Sequence, residues 1–255
     1  MLSAAKPLLI AQISDCHLYA DTQKTGYNNV NPYLSLSAVL KQLAQYKPDC
    51  VVVSGDITND YSQQSYWHLQ QLCAEYLGHT PLHLLPGNHD DIAAMQTVFS
   101  AKELWHRGPV TYGNWHLHCL SSKTDNKSGE VSAQQLAQTC DYIQQYLHQH
   151  HVVALHHHPI PCHGWMDKYP LINAEEFLNQ VSHLSSVKAL IHGHIHTAIE
   201  QQVNEVSIFS CPSSCWQWAT QAEFAFSEEW PGFRLLNCFA DGRLTTEVIR
   251  VSLLR

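Results

Sequence analysis

Five short apolar runs, each followed at once by histidine, aspartate or asparagine, constrain this chain more than any other feature. They cover residues 8–13, 50–53, 82–85, 152–155 and 189–191. Between them lie stretches with helical periodicity. Leu34, Ala38 and Leu43 fit a stripe over 33–46; Trp67, Leu69, Leu72, Tyr76 and Leu77 fit a second; Leu136, Cys140, Ile143 and Leu147 fit a third over 131–147. Strands alternating with helices predict an α/β fold whose interior sheet is largely parallel and buried. The end of the chain differs: RLLNCFADGRLTTEVIRV reads as two strands joined by Asp241-Gly242, a favoured hairpin turn. No linker, repeat or low-complexity tract interrupts the pattern, and TDNKSGE at 124–130 reads as a surface loop, so residues 1–255 are read as one domain.

The residues closing the runs carry the chemistry. They are Asp15-Cys-His17, Gly55-Asp56, Gly87-Asn88-His89-Asp90, His156-His157-His158-Pro159 and His192-Gly193-His194-Ile195-His196. Ligands of open α/β sheets bind at the carboxyl ends of the strands, so five such ends would bring these groups into one crevice. In an extended chain Asp15 and His17 point to one side, as do His194 and His196, and each pair would chelate from one strand end. Gly55, Gly87 and Gly193 leave room for sharp turns beside an ion. The set offers nitrogen and oxygen but no sulfur, which suits Mn, Fe, Co or Zn. Seven ligands exceed one tetrahedral site, whereas a shared carboxylate would let them hold two ions.

Composition narrows the partners. The 255 residues are 45% hydrophobic, enough for a sizeable core, and the net charge of -8 argues against nucleic-acid or anionic-membrane partners. A small anionic substrate remains compatible, because bound metal ions add positive charge. The start of the chain is too short and polar for a signal peptide or a span, and nine cysteines fit a cytoplasmic protein with reduced thiols. Cys211 and Cys215 have no second pair at matching spacing and read as loop or core cysteines. Most of the 19 histidines are expected to be surface or packing residues. His116 and His118 alternate in a strand-like segment and should be exposed. His148, His150 and His151 fall where a helix should end. His192 should be packed in the core, and His163 is a candidate to back the metal ligands.

The order DxH, GD, GNHD, HHHP, GHIH resembles the calcineurin-like metallophosphoesterase superfamily. Pro212-Ser-Ser-Cys, Trp165-Met-Asp167, Pro231-Gly232 and ADGRLTTEV bring the match nearest to bacterial class III 3',5'-cyclic-AMP phosphodiesterases. The resemblance implies a four-layer αββα sandwich ending in a β-hairpin. It implies one ion on Asp15, His17, Asp56 and His196, a second on Asp56, Asn88, His156 and His194, and Asp56 between them. Fe and Mn are the metals it favours, with Zn and Co as further candidates. His89 is the implied catalytic histidine, with Asp90 placed to orient its ring. His17, Asn88, His89 and His157 are candidates for contact with the substrate phosphate. The ions would activate a water for in-line attack on phosphorus, converting cyclic AMP to 5'-AMP. Trp165, Tyr169, Trp216 and Trp218 could furnish a face for the base, while Asn59 and Asp60 line the site or cap a helix. One departure stands out: Cys119-Leu120-Ser121-Ser122 lacks the aspartate of the family's Leu-Asp-Ser.

Alternatives remain open on the same scaffold: a broader phosphodiesterase or phosphomonoesterase, a nuclease being a variant of it, or a non-catalytic scaffold or regulator. The terminal hairpin edge is compatible with a homodimer.

Overall fold

The computed structural model describes residues 6–253. Two sheets lie face to face. The first carries, in spatial order, β11 (Leu244–Arg250), β10 (Gly232–Cys238), β1 (Leu8–Ile13), β2 (Cys50–Ser54) and β3 (Leu82–Leu85). The second carries β4 (Val110–Tyr112), β5 (Trp115–Cys119), β6 (His150–Ala154), β7 (Val187–His192), β9 (Val206–Ser210) and β8 (Glu200–Val203). Strands β1, β2 and β3 are parallel, as are β5, β6, β7 and β9. The antiparallel strands lie toward the edges, and the terminal hairpin is the β10–β11 pair.

Side-chain alternation builds the layers. Leu9, Ala11 and Ile13 of β1 face outward to α1 (Pro32–Leu43) and α2 (Gln63–Leu77), whereas Ile10 faces the second sheet and packs with Val52, Val152 and Ile191. On the far side Val153, Leu155 and Leu190 meet Leu136 and Ile143 of α4 (Ala133–Gln145) and Phe177 of α5 (Ala174–Val181). This is the expected αββα sandwich. Asn31, Ser62 and Ser132 cap α1, α2 and α4 through side-chain oxygens, and Asp91 caps α3 (Ile92–Val98) in the same way.

The helical stripes need correction. Leu34 and Trp67 are exposed, and α1 instead buries Leu36, Val39, Leu40 and Leu43. Helix α4 stops at Gln145, leaving Leu147 exposed. His150 and His151 belong to β6 rather than to a helix end. His116 and His118 are buried, not exposed, because Tyr142 of α4 packs its ring edge-on against both. His118 Nε2 meets His151 Nδ1 at 2.9 Å, and His151 Nε2 donates to the Tyr146 carbonyl.

Burial holds His118 and His151 neutral, His118 down to about 3 and His151 down to about 4; His83, buried elsewhere in the core, falls to about 4. The unfolded chain takes up protons below pH ~6.5 that the folded chain refuses, so stability falls as pH drops. Each of the three should cost the metal-free protein about 1.4 kcal/mol between pH 7.5 and 5.5. Denaturant midpoints across that range test this, and a His118→Gln/His151→Gln double variant should lose the share of the dependence that these two rings contribute, about 2.7 kcal/mol.

Candidate metal centre

The carboxyl ends of β1, β2, β3, β6 and β7 come together at one edge of the sandwich, at the seam between the sheets. The loops beyond them are stitched by backbone bonds: Asp15 N–H to Gly55 O, His17 N–H to Asp56 O and Gly193 N–H to His156 O. The route by which ligands reach the crevice differs from the extended-chain expectation. Asp15, His17, Asp56, His194 and His196 all have left-handed backbones, with φ of 54°, 47°, 53°, 71° and 47°. Each costs on the order of 1 kcal/mol, accepted because the turn throws the side chain back over the strand end. Glycine is required at 87 and 193, where a Cβ would collide with the Asp56 carboxylate and the Ser14 hydroxyl.

All seven expected ligands converge. In one group His17 Nε2 lies 3.1 Å from His196 Nε2, which lies 3.3 Å from Asp15 Oδ1. In the other, His156 Nε2 lies 3.2 Å from both Asn88 Oδ1 and His194 Nδ1. Asp56 joins them: Oδ2 faces His17 Nε2 at 3.8 Å and Oδ1 faces His156 Nε2 at 3.4 Å.

The outer nitrogens determine what the inner ones offer. His156 Nδ1 donates to Ser54 O at 2.7 Å, His194 Nε2 to Tyr169 O at 2.9 Å, and His196 Nδ1 to Trp216 O at 2.9 Å. A carbonyl only accepts, so each outer nitrogen carries the proton and each inner one of a neutral ring presents a lone pair. His17 follows suit, donating through Nδ1 to Asn59 Oδ1 at 3.1 Å, while Asn59 Nδ2 donates to the Tyr19 hydroxyl. Asn59 therefore orients a ligand, whereas Asp60 serves the α2 entry by accepting from Ser62 N–H.

Lone pairs aimed at one another across about 3 Å in a water-poor site repel unless a cation lies between them. Burial drives His17 down to about 3 and His194 well below its ordinary value. It works the same way on His156, but the Asp56 carboxylate outweighs it and raises that ring to about 9. Burial also opposes ionisation of Asp15 and Asp56, yet His196 holds Asp15 low and His156 holds Asp56 lower still. The centre thus favours positive charge where Asp56, Asn88 and His194 converge on His156. The donor set fits two borderline metal ions.

His89 is half-buried beside this centre. Its backbone N–H donates to Asp56 Oδ1 at 2.8 Å, its ring meets His17 edge-on at 5.0 Å, and its Nδ1 has no protein partner. Asp90 does not orient that ring. Its carboxylate accepts from the N–H groups of Gly87, Ile57 and Thr58 and from the Tyr66 hydroxyl, tying the second and third ligand loops together. Asp90→Ala would strand these buried donors and should destabilise the fold by about 3–4 kcal/mol, read by thermal or denaturant unfolding.

Three further expectations change. His157 does not face the phosphate position: it is fully buried, with Nδ1 at 2.8 Å from Ser122 Oγ and Nε2 donating to Lys127 O at 3.0 Å. His163 is exposed and backs no ligand. Where the family aspartate is missing, the Gln135 side chain brackets Ser121, accepting from its N–H and donating to its carbonyl. His192 is buried, as expected, and bonds to Gly193 O.

A cleft of about 760 Å³ opens over the centre. Trp216 stacks on His17 with ring centroids 5.1 Å apart, and Trp218 stacks on His196 at 4.8 Å. Trp165 and Tyr169 line the same cleft, as expected. Tyr27 and Phe224 also line it, and nothing in their local sequence singled them out.

Residues 8–198 match the model of the calcineurin-like phosphoesterase family, and the chain belongs to that family. It is 34% identical to a 3',5'-cyclic-nucleotide phosphodiesterase of Nostoc sp., over 96% of this chain and 93% of that one. It is 32% identical to the 3',5'-cyclic adenosine monophosphate phosphodiesterase CpdA of Escherichia coli, over 95% and 90%. The fold is similar to that of a dimetal phosphatase from Danio rerio, with a TM-score of 0.67, 16% identity and coverage of 96% and 100%. No helix among the described residues is long and apolar enough to cross a membrane.

Proposed function

We propose that this chain is a dinuclear phosphodiesterase that hydrolyses 3',5'-cyclic AMP to 5'-AMP, acting in the cytoplasm on a small-molecule substrate. The observation that carries the reading is the single Asp56 carboxylate facing two groups of inward lone pairs on the floor of an aromatic-walled cleft. Asp15, His17, Asp56 and His196 would hold one ion, and Asp56, Asn88, His156 and His194 would hold the other. Fe and Mn are the metals proposed. When bound, the ions supply an activated water and offset charge on the phosphoryl oxygens.

The chain's own residues do the rest. Asn59 and the Ser54, Tyr169 and Trp216 carbonyls keep the four imidazoles in register. Water adds to phosphorus and gives up a proton to solvent as the bond to the ribose 3'-oxygen breaks, and a protonated His89 gives that oxygen its proton and regains one from solvent. Trp165, Trp218 and Phe224 offer apolar faces for a base, and Asn59 and Lys127 add polar contacts in the same cleft. The names of the relatives support the nucleotide assignment.

The test is hydrolysis of cyclic AMP beside bis-p-nitrophenyl phosphate by metal-stripped protein resupplied with Mn²⁺. Metal-dependent conversion of cyclic AMP to 5'-AMP is expected. Turnover of the aryl diester alone would keep the dinuclear chemistry and reject the nucleotide substrate.

A further inference from the structure

We propose that His158, Cys162 and Asp167 form a third metal site, distinct from the dinuclear centre, which takes a borderline divalent ion such as Zn²⁺ and fastens the loop between β6 and α5. An imidazole nitrogen, a thiol sulfur and a carboxylate oxygen of these residues all lie within 4.8 Å of one another. The independent sign of a missing partner is His158. Its side chain is 1% exposed, yet neither Nδ1 nor Nε2 has a hydrogen-bond partner. Nε2 stands 3.4 Å from Asp167 Oδ1 without hydrogen-bonding alignment. A buried imidazole unmatched at both nitrogens costs roughly 1–3 kcal/mol per atom, and a ligand bond at one of them removes much of that cost.

The rest of the cluster is preorganised. Asp167 Oδ1 accepts from Cys162 N–H at 2.8 Å and Oδ2 from Gly164 N–H at 3.2 Å, which fixes the carboxylate and leaves further lone pairs for an ion. Cys162 is buried, while Asp167, with its side chain 32% exposed, gives an entry path and a solvent-facing coordination position. On binding, the Cys162 thiol releases its proton to solvent; thiolate and carboxylate then neutralise the dication, and His158 stays neutral. Sulfur separates this site from the dinuclear centre, whose seven ligands have none.

The loop it would fasten shapes the cleft. His158 O accepts from Leu171 N–H, closing the segment at its base. Within it, Trp165 and Tyr169 line the cleft, and the Tyr169 carbonyl orients His194. An ion on His158, Cys162 and Asp167 would set the position of that wall. The inference does not depend on the identity of the substrate.

Cobalt distinguishes the sites, because only a thiolate ligand gives an intense near-ultraviolet sulfur-to-Co²⁺ charge-transfer band. Metal-stripped protein titrated anaerobically with Co²⁺ should bind three equivalents and develop a band that saturates at one thiolate site per chain. Cys162→Ser should abolish the band and lower the stoichiometry to two, and Asp167→Asn should weaken the third equivalent about tenfold or more. Wild-type protein that binds two equivalents with no such band overturns the proposal, as does a band that survives in Cys162→Ser. Should a variant fail to fold by circular dichroism, the wild-type titration still decides.

Discussion

Replacing His89 with alanine should lower turnover of cyclic AMP by about two to four orders of magnitude while leaving two metal ions bound. The reason lies in how His89 is attached. It meets the centre through its backbone N–H on Asp56 and through the edge of its ring on His17, and although a ring nitrogen lies within reach of the His17–Asp56 group, the role proposed for it is proton donor rather than ligand. Its Nδ1 is free of any protein partner, whereas His17, His194 and His196 in the same cleft are each fixed by an outer hydrogen bond to an amide or backbone oxygen. The loss should appear in kcat more than in KM, because a proton donated to the departing oxygen acts only as the bond breaks. Metal analysis beside kinetics checks the assignment: loss of an ion in His89→Ala would make it a structural or ligand residue instead. Asn88→Ala makes the contrast, since Asn88 Oδ1 faces His156 Nε2 at 3.2 Å. That variant should bind the second ion weakly and recover activity at raised metal concentration.

The second large effect is expected at Asp56. Asp56→Ala removes the carboxylate whose two oxygens face a histidine of each group, and it leaves His17 and His156 each without that anionic neighbour. Both ions should bind weakly and turnover should fall by at least about four orders of magnitude, equivalent to roughly 5–6 kcal/mol of lost transition-state stabilisation. Asp56 Oδ1 also accepts the His89 N–H, so the variant should release the turn that carries Asn88 as well. Metal content after gel filtration, together with activity over a range of Mn²⁺, measures this. An Asp56→Ala protein that retains two tightly bound ions would show that the carboxylate does not bridge.

Much of the centre was legible in the chain because strand ends are local features. An apolar run of three to six residues followed by a metal-ligating side chain can be read without knowing which strands are neighbours, and all five runs proved to be parallel strands ending at one edge. The α/β class and the terminal hairpin followed from alternation and from Asp241-Gly242 in the same way, whereas the αββα layering was what the family resemblance implied. What misled was equally local. Parity along an extended strand suggested how Asp15 and His17, or His194 and His196, share a side, but these residues turn left-handed and reach the centre by a bend. Adjacency to His89 suggested a role for Asp90, whose carboxylate points instead to the backbone of residues 57, 58 and 87. Proximity to His156 suggested the same phosphate for His157, whose two nitrogens are taken by Ser122 and Lys127.

Sequence alone therefore determined the candidate ligand types, their order and the strands that deliver them, since these depend on residues a few positions apart. Tertiary structure alone decided which ring nitrogen each histidine turns inward, because the carbonyls that settle it, such as Trp216 O for His196 and Ser54 O for His156, lie up to 102 positions away along the chain. It also decided that Trp216 and Trp218 lie under His17 and His196, that Tyr142 covers His116 and His118, and that His158 meets Asp167. Such contacts form only when separate loops are packed against one another, and packing follows from the whole set of buried surfaces rather than from any one segment.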